Sequence, residues 1–469
     1  MKTLPRSAPL RALGNVTLPH SSSRTFTVIS RARPQAHSQT QTKTRDGTSA
    51  LRRISHVPAR TFTRDSQGFI ATSRKAPRFA FAFDIDGVLL HVAKPIPGAT
   101  ETLEYLQRHD IPFILLTNGG GKHERERVAE LSARLGVPLS TENFVQSHTP
   151  FQELVHRSWG HGHGPVDEGP VQNVLLKDDA KSSGLADKNI LITGSDPAKS
   201  RRIAEDYGFR SVITPADIAV AHPTIFPFDA HLKSHYAATA RPLPSPNPKI
   251  DAIFVFNDPR DWAVDIQVIV DLLLSQRGVL GTYSPKNGRA EHENFGWQTD
   301  GQPHLYFSNH DLFWSATYHL PRFGQGAFQA ALAGIWRQVT GGKAELRRTT
   351  IGKPYPRTYE FAETVLARWR GEMLRKRKKS ESNSNGESAR DPEDALPLDR
   401  VYMVGDNPES DIRGANEYKS PHGTEWASVL VRTGVWSKER DGEPKYTPSA
   451  IVDDVKGAVK WALEREGWR

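Results

Sequence analysis

The chain has 469 residues, a formal net charge of +9, a pI near 9.5, a mean hydropathy of −0.55 and no cysteine. Disulfides, thiolate metal sites and cysteine nucleophiles are therefore excluded, and no apolar run approaches the ~18–20 residues needed to cross a bilayer, so no transmembrane segment is expected. With 37% apolar residues the chain is lean for a compact enzyme, which predicts two or three domains accompanied by unfolded tail or insertion.

The basic charge is local. Residues 1–78 hold 15 Lys/Arg against Asp46 and Asp65, a net of +13, while the rest of the chain carries 47 basic and 51 acidic residues. The positive pI therefore says little about the folded body, and no nucleic-acid partner is expected from it. Arg6, Arg11, Arg24, Arg31 and Arg33 are spaced through Ser, Thr and apolar residues with no acid before Asp46. That composition predicts a disordered mitochondrial targeting segment rather than a secretory signal, because no continuous apolar stretch accompanies it.

At Phe79 the character changes. Phe79-Ala80-Phe81-Ala82-Phe83 is a wholly apolar run ending in Asp84, the pattern of a parallel strand covered on both faces. A helix is predicted around Ala99–His109, a second strand over Ile111–Thr117, and a helix carrying Val128, Leu131 and Leu135 that Gly136 terminates. Strand–helix–strand–helix predicts a doubly wound, Rossmann-like α/β core. From 151 to 305 the grammar restarts less regularly, with strands at Asn189–Thr193, Val212–Thr214 and Ile253–Phe256 and helices at Lys199–Tyr207 and Asp265–Gln276. We read this stretch as an inserted, smaller α/β cap domain. Its loop Trp159–Gly169 contains His161 and His163, but glycines surround them and no acids stand at ligand spacing, so a surface loop is expected rather than a metal site. The core is expected to resume from 306 to 469, with a strand at Tyr306–Ser308 and a helix at Gly326–Thr340. Residues 371–397, which contain the basic run Arg375-Lys376-Arg377-Lys378-Lys379, are expected to be a disordered insertion.

Asp84-Ile85-Asp86-Gly87 stands at the carboxyl end of the first strand, where open α/β sheets bind ligands. Two acids two residues apart suit a nucleophile with a neighbouring general acid/base. Leu115-Leu116-Thr117-Asn118 ends a second apolar strand in a hydroxyl and an amide followed by Gly119–Gly121, a turn suited to phosphate. Ile351-Gly352-Lys353-Pro354 sets one lysine on a rigid turn, and Val404-Gly405-Asp406-Asn407-Pro408-Glu409-Ser410-Asp411 ends another strand in paired acids. Mg²⁺ favours such hard carboxylate oxygens. Taken singly, each element has an ordinary explanation as a turn, a helix cap or a surface lysine. Their order along one chain is the discriminating feature.

On these motifs, together with Ser147-His148-Thr149-Pro150 and Ser308-Asn309-His310-Asp311, the chain resembles the haloacid dehalogenase-type hydrolases of subclass IIA. Within that subclass it is similar to the cat-eye-syndrome-critical-region family of mitochondrial hydrolases, over about 79–469 apart from 371–397. The resemblance implies Asp84 as the nucleophile that forms an aspartyl-phosphate and Asp86 as acid/base. It implies Thr117 and Lys353 as phosphate ligands, with Asn118 beside them on the substrate. Mg²⁺ would be held by the Asp84 carboxylate, the Asp86 carbonyl and Asp406, with Asp411 as an outer partner or further ligand. The same likeness implies a small phosphorylated substrate and suggests a glycerophospholipid intermediate. Gly119–Gly121 departs from it, since many relatives have a second Asn there. Two other readings stay open: phosphoryl transfer to an acceptor other than water, and a slow or inactive scaffold using its cap as an interaction surface.

Overall fold

Phe79, Phe81 and Phe83 point to one face of the first strand and Ala80 and Ala82 to the other, and this split decides how the core packs. The computed structural model describes residues 77–156, 184–228, 230–314, 318–381 and 398–468. The N-terminal targeting expectation, and His161 and His163, lie outside them.

The core sheet has six parallel strands in the order Ala450–Val452, Glu425–Val431, Arg400–Gly405, Phe79–Phe83, Phe113–Leu116 and Phe144–Val145. Phe81 pairs with Tyr402 on one side and with Phe113 on the other, so Phe79–Phe83 is central. On its phenylalanine face, Phe81 stacks on Tyr402 with ring centroids 5.6 Å apart. The helices Ala99–Arg108, Glu124–Leu135 and Val455–Arg465 cover that face through Leu103, Leu131 and Val459. The alanine face leaves room for the bulky Tyr359, Phe361 and Leu366 of the helix Pro356–Glu381. Each fully buried phenylalanine contributes roughly 1.5–3 kcal/mol by leaving water. Helices on both faces of a parallel sheet make this the doubly wound α/β fold expected.

A second, five-stranded parallel sheet runs Thr349–Thr350, His304–Phe307, Ala252–Val255, Asn189–Thr193, Ser211–Ile213. Here the expected boundary at 305/306 needs correcting. The strand at His304–Phe307 pairs with Ala252–Val255 in register Ala252↔His304 to Val255↔Phe307, so it belongs to the second sheet. The helix Gln325–Val339 also packs there, with Phe328, Leu332 and Trp336 against Val264 and Ile269 of the helix Trp262–Leu274. The cap therefore extends to Thr350. An apolar strand reads the same whichever parallel sheet receives it, which is why local pattern misplaced it. Thr214, expected in a strand, instead caps the helix Pro215–Ala221 through a capping box with Asp217.

The expected disordered insertion is also shortened. Helix Pro356–Glu381 continues through residues 371–381, where Glu, Met, Leu, Arg and Lys all favour helix. Leu374 is buried, and Arg370 Nε donates to Pro77 O at 3.0 Å. Residues 382–397 lie outside the described ones.

Candidate active site

Three strand ends converge. Asp84 follows the central strand Phe79–Phe83, Asp406 follows its neighbour Arg400–Gly405, and Thr117 follows Phe113–Leu116 on the other side. Because neighbouring strands lie ~4.8 Å apart, side chains leaving adjacent carboxyl ends meet without any loop having to reach for them. Carboxylate oxygens of Asp84, Asp406 and Asp411 all lie within 4.8 Å of one another, with Asp406 and Asp411 buried.

Lys353 is the counter-charge. Its ammonium donates to Asp84 Oδ1 at 2.7 Å and to the Leu116 carbonyl at 2.8 Å, and pairs with Asp411 Oδ1 at 2.8 Å. Burial alone would lower its pKa, but Asp411 and Asp84 outweigh that and raise it. One cation does not neutralise three acids. Burial first, then the neighbouring acids, raise Asp84 well above the carboxylate range, Lys353 opposing, and push Asp406 up to about 7. A buried excess of negative charge with hard oxygen donors fits a divalent cation such as Mg²⁺.

Backbone geometry keeps this cluster tight. Gly87 takes φ 82°, and a Cβ there would stand 2.2 Å from Asp406 Oδ2. Gly434 is closer still, at 1.8 Å, and the Val435 N–H next to it donates to the same oxygen at 2.7 Å. Thr433 Oγ1 donates to the Gly87 carbonyl at 2.5 Å, joining the two turns. Asp411 Oδ2 accepts the Asn407 N–H at 3.1 Å. Asp86 stands outside the carboxylate cluster, and its side chain is exposed. Even so, the protein around it excludes enough water to raise its pKa, against Arg127 and Lys353, which lower it.

Thr117 is buried, its Oγ1 accepting the Gly119 N–H at 3.0 Å. Asn118 is committed to the protein: its Oδ1 accepts the Lys353 N–H at 2.7 Å, and its Nδ2 donates to the Lys353 carbonyl at 2.9 Å and to Asp311 Oδ1 at 3.2 Å. The side chain expected to touch substrate thus holds Lys353 in place. Asp311 comes from the cap, and burial pushes its carboxyl up to about 6.

The glycines that follow have a steric explanation. A Cβ on Gly120 would lie 2.7 Å from Ser147 Oγ and 3.1 Å from His148 Cδ2, and one on Gly121, at φ 82°, would lie 2.4 Å from Asn257 Nδ2 of the cap. His148 is fully buried, stacked on Phe256 of the cap with ring centroids 5.1 Å apart. Its Nε2 accepts the Gly121 N–H at 3.3 Å, and its Nδ1 lies 2.8 Å from Tyr207 Oη, which also bonds Glu124. Core and cap therefore share one buried polar network beside the turn after Thr117. Sequence reasoning missed His148, Asp311 and Gly434 as site-forming residues. Ser147-His148-Thr149-Pro150 and Ser308-Asn309-His310-Asp311 marked two of them, while Gly434 carried no signal.

Two family models match the chain: a haloacid dehalogenase-like hydrolase over residues 81–210 and a HAD-hydrolase-like model over 350–458. The mitochondrial hydrolase YKR070W of Saccharomyces cerevisiae is 38% identical over 400 residues, covering 85% of this chain and 98% of its own. A cardiolipin synthase (CMP-forming) / mitochondrial hydrolase fusion protein of Schizosaccharomyces pombe is 36% identical over 418 residues, covering 89% of this chain. The chain spans 58% of the length of that fusion. Among solved structures, a p-nitrophenyl phosphatase from Archaeoglobus fulgidus is similar with a TM-score of 0.47 and 14% identity, over 82% of this chain and 99% of that one. NagD from E. coli K-12 is similar with a TM-score of 0.44 and 17% identity, over 81% of this chain and 98% of that one.

Proposed function

The chain belongs to the haloacid dehalogenase-like hydrolase family, and from that membership we propose that it is a Mg²⁺-dependent phosphomonoester hydrolase acting through an aspartyl-phosphate on Asp84. The observation that carries this reading is the meeting of Asp84, Lys353, Asp406 and Asp411 at the carboxyl edge of the core sheet. Asp84, Asp406 and Asp411, with the Asp86 carbonyl, are the groups that would hold Mg²⁺. When bound, the ion supplies charge screening that lets a phosphate dianion approach carboxylates.

A carboxylate oxygen of Asp84 attacks phosphorus in line, forming the acyl-phosphate bond as the bond to the leaving oxygen breaks. Asp86, whose pKa is raised by the protein around it, gives its proton to that oxygen. The resulting Asp86 carboxylate then takes a proton from water, the water oxygen attacks phosphorus, and inorganic phosphate leaves with Asp84 restored. Thr117, oriented by the Gly119 N–H, donates its hydroxyl proton to a phosphoryl oxygen. Lys353 exchanges part of its contact with Asp84 for a second phosphoryl oxygen, stabilising the charge that spreads there.

The substrate class is part of the same proposal. One relative is named a mitochondrial hydrolase, and another joins such a hydrolase to a cardiolipin synthase in one polypeptide. Together with the arginine-rich N-terminal composition, these favour a mitochondrial location and a glycerophospholipid-related phosphomonoester. The test is release of inorganic phosphate from a panel of phosphomonoesters, glycerophospholipid intermediates included, by wild type and by Asp84→Asn, with and without Mg²⁺. Mg²⁺-dependent release that vanishes in Asp84→Asn is the expected result. No release from any substrate, or equal release by the variant, would instead support the scaffold reading.

A further inference from the structure

Most of the apolar surface of the described residues is accounted for by the two domains, but one short ribbon in the cap is not. Phe313–Trp314 pairs antiparallel with Arg322–Phe323, in register Phe313↔Phe323 and Trp314↔Arg322. Leu312, Phe313, Trp314, Tyr318, Leu320 and Phe323 are all exposed, Trp314 by 48% and Phe323 by 64%. Exposed apolar side chains are common singly, whereas six within one twelve-residue segment mark an interaction surface.

The ribbon is firmly rooted. The Gly324 N–H donates to the Leu312 carbonyl and the Gly326 N–H to the Asp311 carbonyl, each at 2.9 Å. Buried Gln325 accepts the Asn309 N–H at 3.1 Å, and buried Gln329 donates to the Asn309 carbonyl at 2.7 Å. Within the ribbon, Phe313 stacks on Phe323 at 5.8 Å, and Trp314 Nε1 donates to the Phe323 carbonyl at 3.1 Å. The aromatic surface is thus presented on a built support, and that support continues directly from Asp311, which bonds Asn118 in the active site.

Its chemistry points to one occupant. Residues 312–323 contain no Asp or Glu and carry Arg322 and His319. Arg322 lies over the Tyr318 ring at 4.7 Å, an apolar body with a cationic tip of the kind that sits at the level of lipid headgroups. Trp, Tyr and Phe with a basic residue and no acid complement a surface that is apolar beneath and anionic above. A second copy of the chain is a poorer fit. A stable protein interface needs roughly 20–30 residues a side, and this ribbon supplies nine described residues. We propose that the cap ribbon formed by residues 312–314 and 318–323 docks the protein onto an anionic phospholipid surface, presenting the adjoining active site to phosphomonoesters held there. The docking itself does not depend on the hydrolase reading.

The test is flotation of the full chain with vesicles of phosphatidylcholine, alone or mixed with phosphatidylglycerol, at physiological and high salt. Wild type is compared with Trp314→Glu, Leu320→Glu and Arg322→Glu, each checked for an unchanged melting temperature. The basic N-terminal segment is common to all four, and high salt screens its contribution. Wild type should float with anionic vesicles and retain part of that binding at high salt. Trp314→Glu or Leu320→Glu should lower partitioning by about tenfold or more, while Arg322→Glu should reduce the preference for anionic over neutral lipid relative to wild type. Vesicle binding unaltered by the ribbon variants overturns the proposal, as does wild type that does not float. A dimer that dissociates in Trp314→Glu would also overturn it, by assigning the ribbon to a second copy.

Discussion

Asn118 grips both backbone polar groups of Lys353, its Oδ1 2.7 Å from the N–H and its Nδ2 2.9 Å from the carbonyl oxygen. The two residues are 235 positions apart, and this pair of hydrogen bonds fixes the turn from which the Lys353 ammonium reaches Asp84 and Asp411. Asn118→Ala should therefore act through Lys353. We expect kcat for a small phosphomonoester to fall roughly 10–100-fold with a smaller change in KM, since a mispositioned cation costs most where transition-state charge develops. Asn118→Asp should do no better, because it loses the donor to the Lys353 carbonyl. Steady-state kinetics on the folded variants decide the matter. A pure KM effect would return Asn118 to direct substrate binding.

Gly434 has no unusual φ, and the constraint on it is space: a Cβ would stand 1.8 Å from Asp406 Oδ2. Gly434→Ala must push Asp406 or its own turn aside, so the cation site should loosen while the sheet remains intact. The readout is thermal stabilisation by Mg²⁺, which follows from preferential binding to the folded state. Wild type should gain melting temperature with added Mg²⁺, and Gly434→Ala should need at least about tenfold more ion for the same gain, the order of loss usual when support of metal ligands is removed. Identical Mg²⁺ titrations would show that Asp406 is not a ligand.

His148 predicts a pH dependence of stability. Burial lowers its pKa from 6.5 to about 4, with Glu124 opposing and His123 adding to the fall. Its folded-state pKa is thus below its unfolded value, so between those pH values the unfolded chain binds the extra proton. Stability from this group is complete above about pH 6.5 and is lost as pH falls towards 4. At full protonation the linkage amounts to roughly 3 kcal/mol. Other histidines and carboxylates titrate in the same range, so the comparison is with His148→Gln, which keeps a polar side chain against Tyr207. Wild type should lose stability more steeply than the variant from pH 6.5 to 4 in urea unfolding. Parallel curves would contradict the buried, neutral state of His148.

The cap should govern substrate choice more than chemistry. Asp311, Asn309 and Asn257 are cap residues, and they meet the core at Asn118 and Gly121. Asn257→Ala leaves every core carboxylate in place and removes only the bonds to Ser195 at the cap side of that seam. We expect acetyl phosphate hydrolysis to change by less than about threefold, while kcat/KM for the preferred large substrate falls by about tenfold or more. Equal losses on both substrates would place Asn257 in the shared machinery.

Part of the candidate site was legible because two of its acids, Asp84 and Asp406, each follow an apolar strand. Asp84 and Asp406 lie at the carboxyl ends of adjacent strands, and an apolar run followed by an acid announces that position. The contacts that tune the site were not legible in the same way. That Asn118 serves Lys353, or that Gly434 makes room for Asp406, depends on neighbours far away in sequence, and neither residue type signals it. The cap boundary was misread for a related reason. His304–Phe307 has the apolar pattern of any buried parallel strand, and only its pairing with Ala252–Val255 says which sheet it joins. The helical stretch at residues 371–381 was hidden by its charge, although its residues favour helix and Leu374 finds a buried place.

The most direct test of the account is to trap the covalent intermediate. Wild type turning over a hydrolysed phosphomonoester in the presence of Mg²⁺ is quenched in acid, which preserves acyl phosphates, and the digest is analysed by mass spectrometry. Phosphoryl mass is expected on the peptide spanning Phe79–Gly87, localised to Asp84 and chemically labile as an acyl phosphate is. It should be absent without Mg²⁺ and absent in Asp84→Asn. Turnover with no phosphoryl group on Asp84, or with the group on a different residue, would contradict it.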